Sequence, residues 1–314
     1  MLEAGLVSFR FLHYAALMAL FGVSLFPFYA YPSRVGDPPA RLDRWLQLTL
    51  TTAAFVALLS AIFWLLCTVA NMADTLSAAF DWDQAWSVLS ETSFGAVWVA
   101  RLALLAVLLG VTGVRMASVT QRPDRLTLVL CAGALASLAG VGHTQVNDGM
   151  ARLIHMSADG AHLLAAGAWL GGLMALAYIL AMARWQPSPD HGLDASGVLL
   201  RFSGMGYVAV AVLIGSGLLN SWFLVGSFAN LARTPYGQLL LVKLCLFTGM
   251  LALAALNRYW LLPSLMRENV IDQRAAWLVR LRQHILGEQA LGLFVILIAS
   301  VLGTMQPAIS LSSQ

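Results

Sequence analysis

Charge is what this sequence has least of. Only 11% of its 314 residues are Asp, Glu, Lys or Arg, where a soluble domain carries about 25%, and so few charges cannot cover a water-exposed surface. The net charge of +3 is spread thinly, with no Lys/Arg-rich stripe, which excludes nucleic acid as a partner. Cysteine is scarce too. Cys67, Cys131 and Cys245 fall in separate apolar stretches without CxxC spacing, so no disulfide framework, zinc or iron–sulfur motif is expected, and they read as small buried apolar side chains. No GxxxxGK[ST] loop occurs, so nothing cradles a nucleotide phosphate. No Pro- or Ser-rich linker and no visible repeat divides the chain.

Apolar residues fill the space, at 60% of the total. Eight stretches are each near the roughly 20 residues needed to cross a bilayer: 7–30, 46–70, 94–114, 125–142, 157–182, 204–225, 238–256 and 285–304. The expected fold is an all-α polytopic membrane bundle, a single domain over 1–314 with the lipid bilayer as its surroundings. The start, MLEAGLVSFRFLHYAALMALFGVSLF, places an acidic residue before its apolar core and lacks a small-x-small cleavage site, so it reads as a retained first span.

Orientation follows from arginine, which is held on the cytoplasmic side. Alternate loops carry Arg34, Arg41 and Arg44; Arg115, Arg122 and Arg125; Arg184 and Arg201; and Arg258, Arg267, Arg274, Arg280 and Arg282. The intervening loops hold only Arg152 and Arg233, and the second is acidic, with Asp74, Asp81, Asp83 and Glu91. Both termini are therefore expected outside, in the periplasm of a bacterial inner-membrane protein. Segment 81–93, with Trp82, Trp86, Val88 and Leu89, is expected as a short interfacial helix, and the stripe Trp277, Leu278, Leu281, Ile285 as a cytoplasmic extension of the last helix. Gly167, Gly171 and Gly172 form a small-residue edge for close helix approach, with Gly215 and Gly217 as a second candidate.

Ionisable residues inside spans are costly and mark candidate sites. Most fall in one outer layer: Arg10 and His13, Arg101, His143, the group His155, Asp159 and His162, Asn220, and Lys243. The inner half offers mainly Glu288, with Asn257 and Arg258 at a helix end; His191 and His284 receive no role. In HMSADGAH, residues 155–162, the offsets i, i+4 and i+7 place His155, Asp159 and His162 within about 60° of arc on one helical face. Two imidazoles and a carboxylate so placed suit a transition metal, with His143, Met150 and Met156 in sequence reach and the thioethers favouring Cu(I) over harder ions. His13 joins only by depth. Interhelical hydrogen bonding without any metal accounts for the same spacing, and that alternative stays open. Arg10, Arg101 and Lys243 read as a supporting layer that neutralises carboxylates such as Asp159 or Glu91.

Five stretches carry a resemblance: DGAHLLAAGAWLGGL (159–173), RFS (201–203), TPYGQLLLVKL (234–244), ALNRYWLLPSL (255–265) and EQALGLFVILIASVLGTMQP (288–307). Together they resemble the copper-resistance protein D family, CopD, in order and spacing from the first helix to the last. The resemblance implies an eight-helix inner-membrane copper protein that works with a periplasmic CopC-like carrier, moves copper toward the cytoplasm and performs no enzymatic turnover. Copper, Cu(I) before Cu(II), is the expected metal. Two other classes remain: a haem b electron-transfer protein with bis-His ligation drawn from His13, His143, His155 and His162, and a non-transporting assembly or sensing subunit.

Overall fold

The apolar stretches fold as helices that outrun their lipid-crossing portions. A computed structural model describes residues 2–32, 39–117, 123–141, 149–185, 194–268 and 270–311. The helices are α1 (Leu2–Ala30), α2 (Ala40–Met72), α3 (Trp82–Glu91), α4 (Ser93–Met116), α5 (Arg125–Ala136), α6 (Gly149–Trp185), α7 (Ala195–Val225), α8 (Phe228–Arg233), α9 (Pro235–Leu256), α10 (Leu262–Arg267), α11 (Ile271–Leu302) and α12 (Ala308–Leu311). Among the described residues there is no strand. Hydropathy marks only what crosses lipid, whereas the backbone stays helical until a cap stops it. Thus α6 begins at Gly149 and α11 at Ile271, well before the expected 157 and 285. Side chains of Thr92, Asp124, Asp194 and Thr234 accept the first free N–H groups of α4, α5, α7 and α9, as helix N-termini require.

Seven helices are long and apolar enough to span a membrane. The expected fourth span is the departure. α5 and its 3₁₀ extension Ser137–Gly140 rise about 25 Å, short of the roughly 30 Å hydrocarbon core. The interfacial segment forms α3, capped by Asp81, with Trp82 and Trp86 exposed. The Trp277 stripe lies on the extended start of α11, where Leu278, Leu281 and Ile285 are buried.

Two contacts position the rest. Gly171 of α6 lies against α1 so closely that a Cβ there would stand 2.6 Å from the Met18 carbonyl oxygen and 2.7 Å from the Gly22 Cα. Helices in lipid associate by van der Waals packing, and only paired glycines let these two backbones touch. Gly22 is the partner that the glycine pattern of α6 did not name. Gly215 plays no such part, since a Cβ there would meet open space, and Gly217 instead faces the His162 ring at 3.6 Å. In the second contact the Arg10 guanidinium donates to the Gly303 carbonyl at 2.8 Å, so both ends of the chain lie at one end of the bundle, called here the terminal end. One buried apolar cluster runs from Ala16 of α1 to Ile296 of α11.

Candidate functional site

Helical spacing brings five elements to one cleft. Asp159, His162 and Trp169 recur on one face of α6; Lys243, Phe247 and Met250 do so on α9; Arg10, Tyr14 and Met18 on α1. These residues, with α7 from Leu213 to Leu224 and α11 from Gly292 to Gly303, line a cavity of about 360 Å³. α7 and α9 pack little on each other but both pack on neighbours of the floor, α6 and α11, so the cavity is a cleft between them. Most of its wall is apolar; the polar groups gather at the terminal end.

Asp159 accepts from the Asn220 side-chain nitrogen at 3.2 Å. Lys243 and Arg10 are within electrostatic reach of it without closing to an ion pair among the described residues. Lys243 thus balances Asp159 as the sequence suggested, whereas Arg101 does not. His162 hydrogen-bonds through Nδ1 to the Ser216 hydroxyl at 2.9 Å, and that hydroxyl donates to the Val212 carbonyl at 2.5 Å. Ser216 has one proton, so the consistent tautomer has Nδ1 donating. His162 also lies within hydrogen-bonding reach of the Leu213 carbonyl, and its ring lines the cleft. His155, one face with them, is buried and stacks on Phe223 with ring centroids 4.7 Å apart.

The rest of the expected layer lies elsewhere. His13 is fully buried and faces α2 and α4. Its Nδ1 donates to the Ala57 carbonyl at 2.9 Å, beside the Ser60 hydroxyl at 3.1 Å, and its Nε2 accepts from Arg101 at 2.7 Å. Both ring nitrogens are taken. Arg101 also donates to the Ala134 carbonyl at 3.3 Å and to the Ser137 hydroxyl, with its guanidinium over the Trp98 ring. Among the described residues it meets no carboxylate, and neutral acceptors and aromatic faces hold its charge. His13 is not among the residues that line the cleft of His162. Met150 is exposed, and the Met156 methyl lies against Gly140; neither lines the cleft. His143 lies outside the described residues. Among those described, no three His, Cys, Asp or Glu side chains converge as a metal site.

The cleft also holds residues that the sequence reading passed over. Met18 and Met250 line it farther from the terminal end, and Tyr14 and Tyr236 line it nearer that end. Their signal was available, since Met18 follows Arg10 and Tyr14 at four-residue steps and Met250 follows Lys243 by seven. A second cavity of about 320 Å³ continues between α7 and α9 toward the opposite end, with Glu288, Asn257 and Arg258 on its wall; Trp169 lines both.

Comparison with known proteins is consistent along the whole chain. The family described as "Copper resistance protein D-like, N-terminal domain" matches residues 1–153, and "Copper resistance protein D" matches residues 196–302. Inner membrane protein YebZ of Escherichia coli (strain K12) is 31% identical over 303 residues, which is 96% of this chain and 98% of YebZ. Copper resistance protein D of Pseudomonas syringae pv. tomato is 31% identical over 310 residues, 96% of each chain. Copper transport protein CutJ of Bacillus subtilis (strain 168) is 30% identical over 288 residues, 88% of this chain and 50% of CutJ. No solved structure matches.

Proposed function

The chain belongs to the copper resistance protein D family, and from that premise we propose that it takes up copper on the periplasmic side of the inner membrane, from solution or a CopC-like carrier, and passes it toward the cytoplasm. It is a multi-pass inner-membrane protein of copper homeostasis. The arginine-poor loops support a terminal end that faces outside. The Arg10–Gly303 contact favours an even number of crossings, with the short helix Arg125–Gly140 as the eighth.

The observation that carries the reading is that His162, Met18 and Met250 line one and the same cleft. Nitrogen followed by soft sulfur suits Cu(I) better than Cu(II) or a hard ion. His155 and Asp159 stand on the same face of α6, and copper enters past them. Asp159 acts by balancing the charge of Lys243 and Arg10, which otherwise repel a cation. The role is transfer without chemical turnover.

Metal analysis and a visible spectrum of the purified protein test this reading together. Bound copper without a Soret band is expected; a Soret band would replace it with the haem reading. In cells lacking other uptake routes, expression with a CopC-like carrier should raise cellular copper, and unchanged copper content would favour a sensing or assembly role.

A further inference from the structure

The inner cavity holds a titratable group for which copper chemistry has no use. Glu288 is 2% exposed in the middle of α11, where an ionisable side chain is costly unless it has work to do. Two side chains donate to it: Asn257, whose side-chain nitrogen reaches Glu288 Oε1 at 2.6 Å, and the indole of Trp169. Asn257 opens a π-helical turn, Asn257–Leu261, in which the Leu262 N–H reaches back five residues to the Asn257 carbonyl. Pro263 explains the turn, because it lacks the N–H that an α-helix would send to Tyr259. The widened turn leaves the Asn257 amide free to face Glu288.

Two buried polar atoms beside this pair have no hydrogen-bond partner: Asn257 Oδ1 and His284 Nδ1. Asn257 Oδ1 is an acceptor awaiting a donor, and a protonated Glu288 supplies one. His284 precedes Glu288 by four residues on the same face of α11, one turn nearer the arginine-rich end. The donors around Glu288 are oxygen and nitrogen only, which suits a proton and not soft Cu(I). Other titratable or charged groups on the cavity wall are Tyr207 of α7 and Arg258 and Tyr259 of the π turn. α6 contributes only the indole of Trp169.

We propose that Glu288 is a proton-binding site, reached from the Arg258 end past His284, and that it exchanges its proton as copper passes, so that transport is copper–proton antiport. This rests on the transport reading of the cleft. When no cation is in the inner cavity, Glu288 holds a proton and the low-dielectric site is neutral. As Cu(I) crosses the Trp169 partition, the O–H bond breaks, the proton leaves outward through the cleft by which copper came in, and the carboxylate balances the incoming charge. Copper then departs at the Arg258 end, and a new proton is taken up from that end past His284. One charge is exchanged for one, and no electron moves.

The test reconstitutes the full chain in phosphatidylethanolamine/phosphatidylglycerol vesicles with a pH-sensitive dye inside and Cu(I) added outside. Wild type should raise lumenal pH as copper enters, and Glu288→Gln should lose that response at least tenfold while binding copper in the outer cleft with unchanged stoichiometry. His284→Gln should slow the pH change severalfold without altering its extent. Copper entry with no pH change, or a Glu288→Gln response equal to wild type, overturns the proposal and leaves transport standing. If wild type moves no copper, the transport reading fails by itself. Infrared spectroscopy then decides whether Glu288 binds a proton: a protonated-carboxyl band that is missing in Glu288→Gln supports it, and no such band overturns it.

Discussion

On either side of α1, near the terminal end, lie two polar clusters that differ in what is left over once their hydrogen bonds are drawn. Around His13 both ring nitrogens are used: Ala57, Ser60, Arg101, Ala134 and Ser137 bond one another in a pocket walled by Trp64 and Trp98, and the atoms left over among the described residues, Arg101 Nε and Trp98 Nε1, are N–H donors that cannot ligate a cation. Around His162 the side chains of Lys243, Met18 and Met250 line a cleft with room in it. The residue types are nearly the same in both. A closed network fixes how α1, α2, α4 and α5 sit, whereas an open one can take a guest. The closed network lies within residues 1–153, whereas the cleft draws on both matched ranges and on α6 between them.

The substitution expected to do most damage strikes what both regions share. Gly171→Leu forces α1 from α6, and overpacking of this kind costs about 1–3 kcal/mol. Its thermal midpoint in detergent should fall and its copper binding should be lost together; loss of only one would mean that the clusters do not depend on the same helix contact.

Next in size is Arg101→Met, which removes the charge at the centre of the closed network. Hydrogen bonds to charged groups are worth about 1.5–3 kcal/mol each, partly offset because desolvation of the guanidinium is relieved. A destabilisation of about 2 kcal/mol by thermal unfolding, with copper stoichiometry unchanged, would sharpen the contrast; lost copper with normal stability would break it. Met18→Leu combined with Met250→Leu keeps volume and removes both thioethers. Cu(I) affinity should drop severalfold while the melting temperature stays within a degree or two, and an unchanged affinity would remove sulfur from the route.

The smallest effect belongs to a region outside both clusters. Asp124 caps α5 and pairs with Arg115. Partial burial works against its charge, but hydrogen bonds from Thr127 and the Arg115 guanidinium outweigh it and hold the carboxyl below its ordinary range. A depressed folded value means that this stabilisation is present above the unfolded carboxylate value and fades as pH falls below about 4. Because the side chain is exposed, Asp124→Asn should cost under about 1 kcal/mol and flatten the acid limb of the stability curve. A larger loss at neutral pH would contradict a surface role.

The helices were legible in the sequence because a bilayer demands long apolar runs, and that demand leaves little else to read. The short α5 was harder, since 125–142 is apolar enough but its helix stops at Gly140. The i, i+4, i+7 spacing put His155, Asp159 and His162 on one face, and all three line the cleft. Depth misled in the other direction: His13 and Arg101 share the layer of His162, but depth along a helix says nothing about azimuth, and theirs points to α2 and α5. Met18 and Met250 were hidden by their abundance in apolar helices, where methionine is ordinary packing. Partners such as Ser216 and Ala57 are set by how helices meet, which no single helix encodes.

Anaerobic titration of the purified protein with Cu(I) against a competing chelator, run side by side on wild type, His162→Ala and His13→Ala, tests the central contrast most directly. The account predicts that His162→Ala loses at least tenfold in affinity, about 1.4 kcal/mol, at an almost unchanged melting temperature, and that His13→Ala binds copper as wild type does but melts lower. A wild-type affinity in His162→Ala, or its loss in a stably folded His13→Ala, would contradict it.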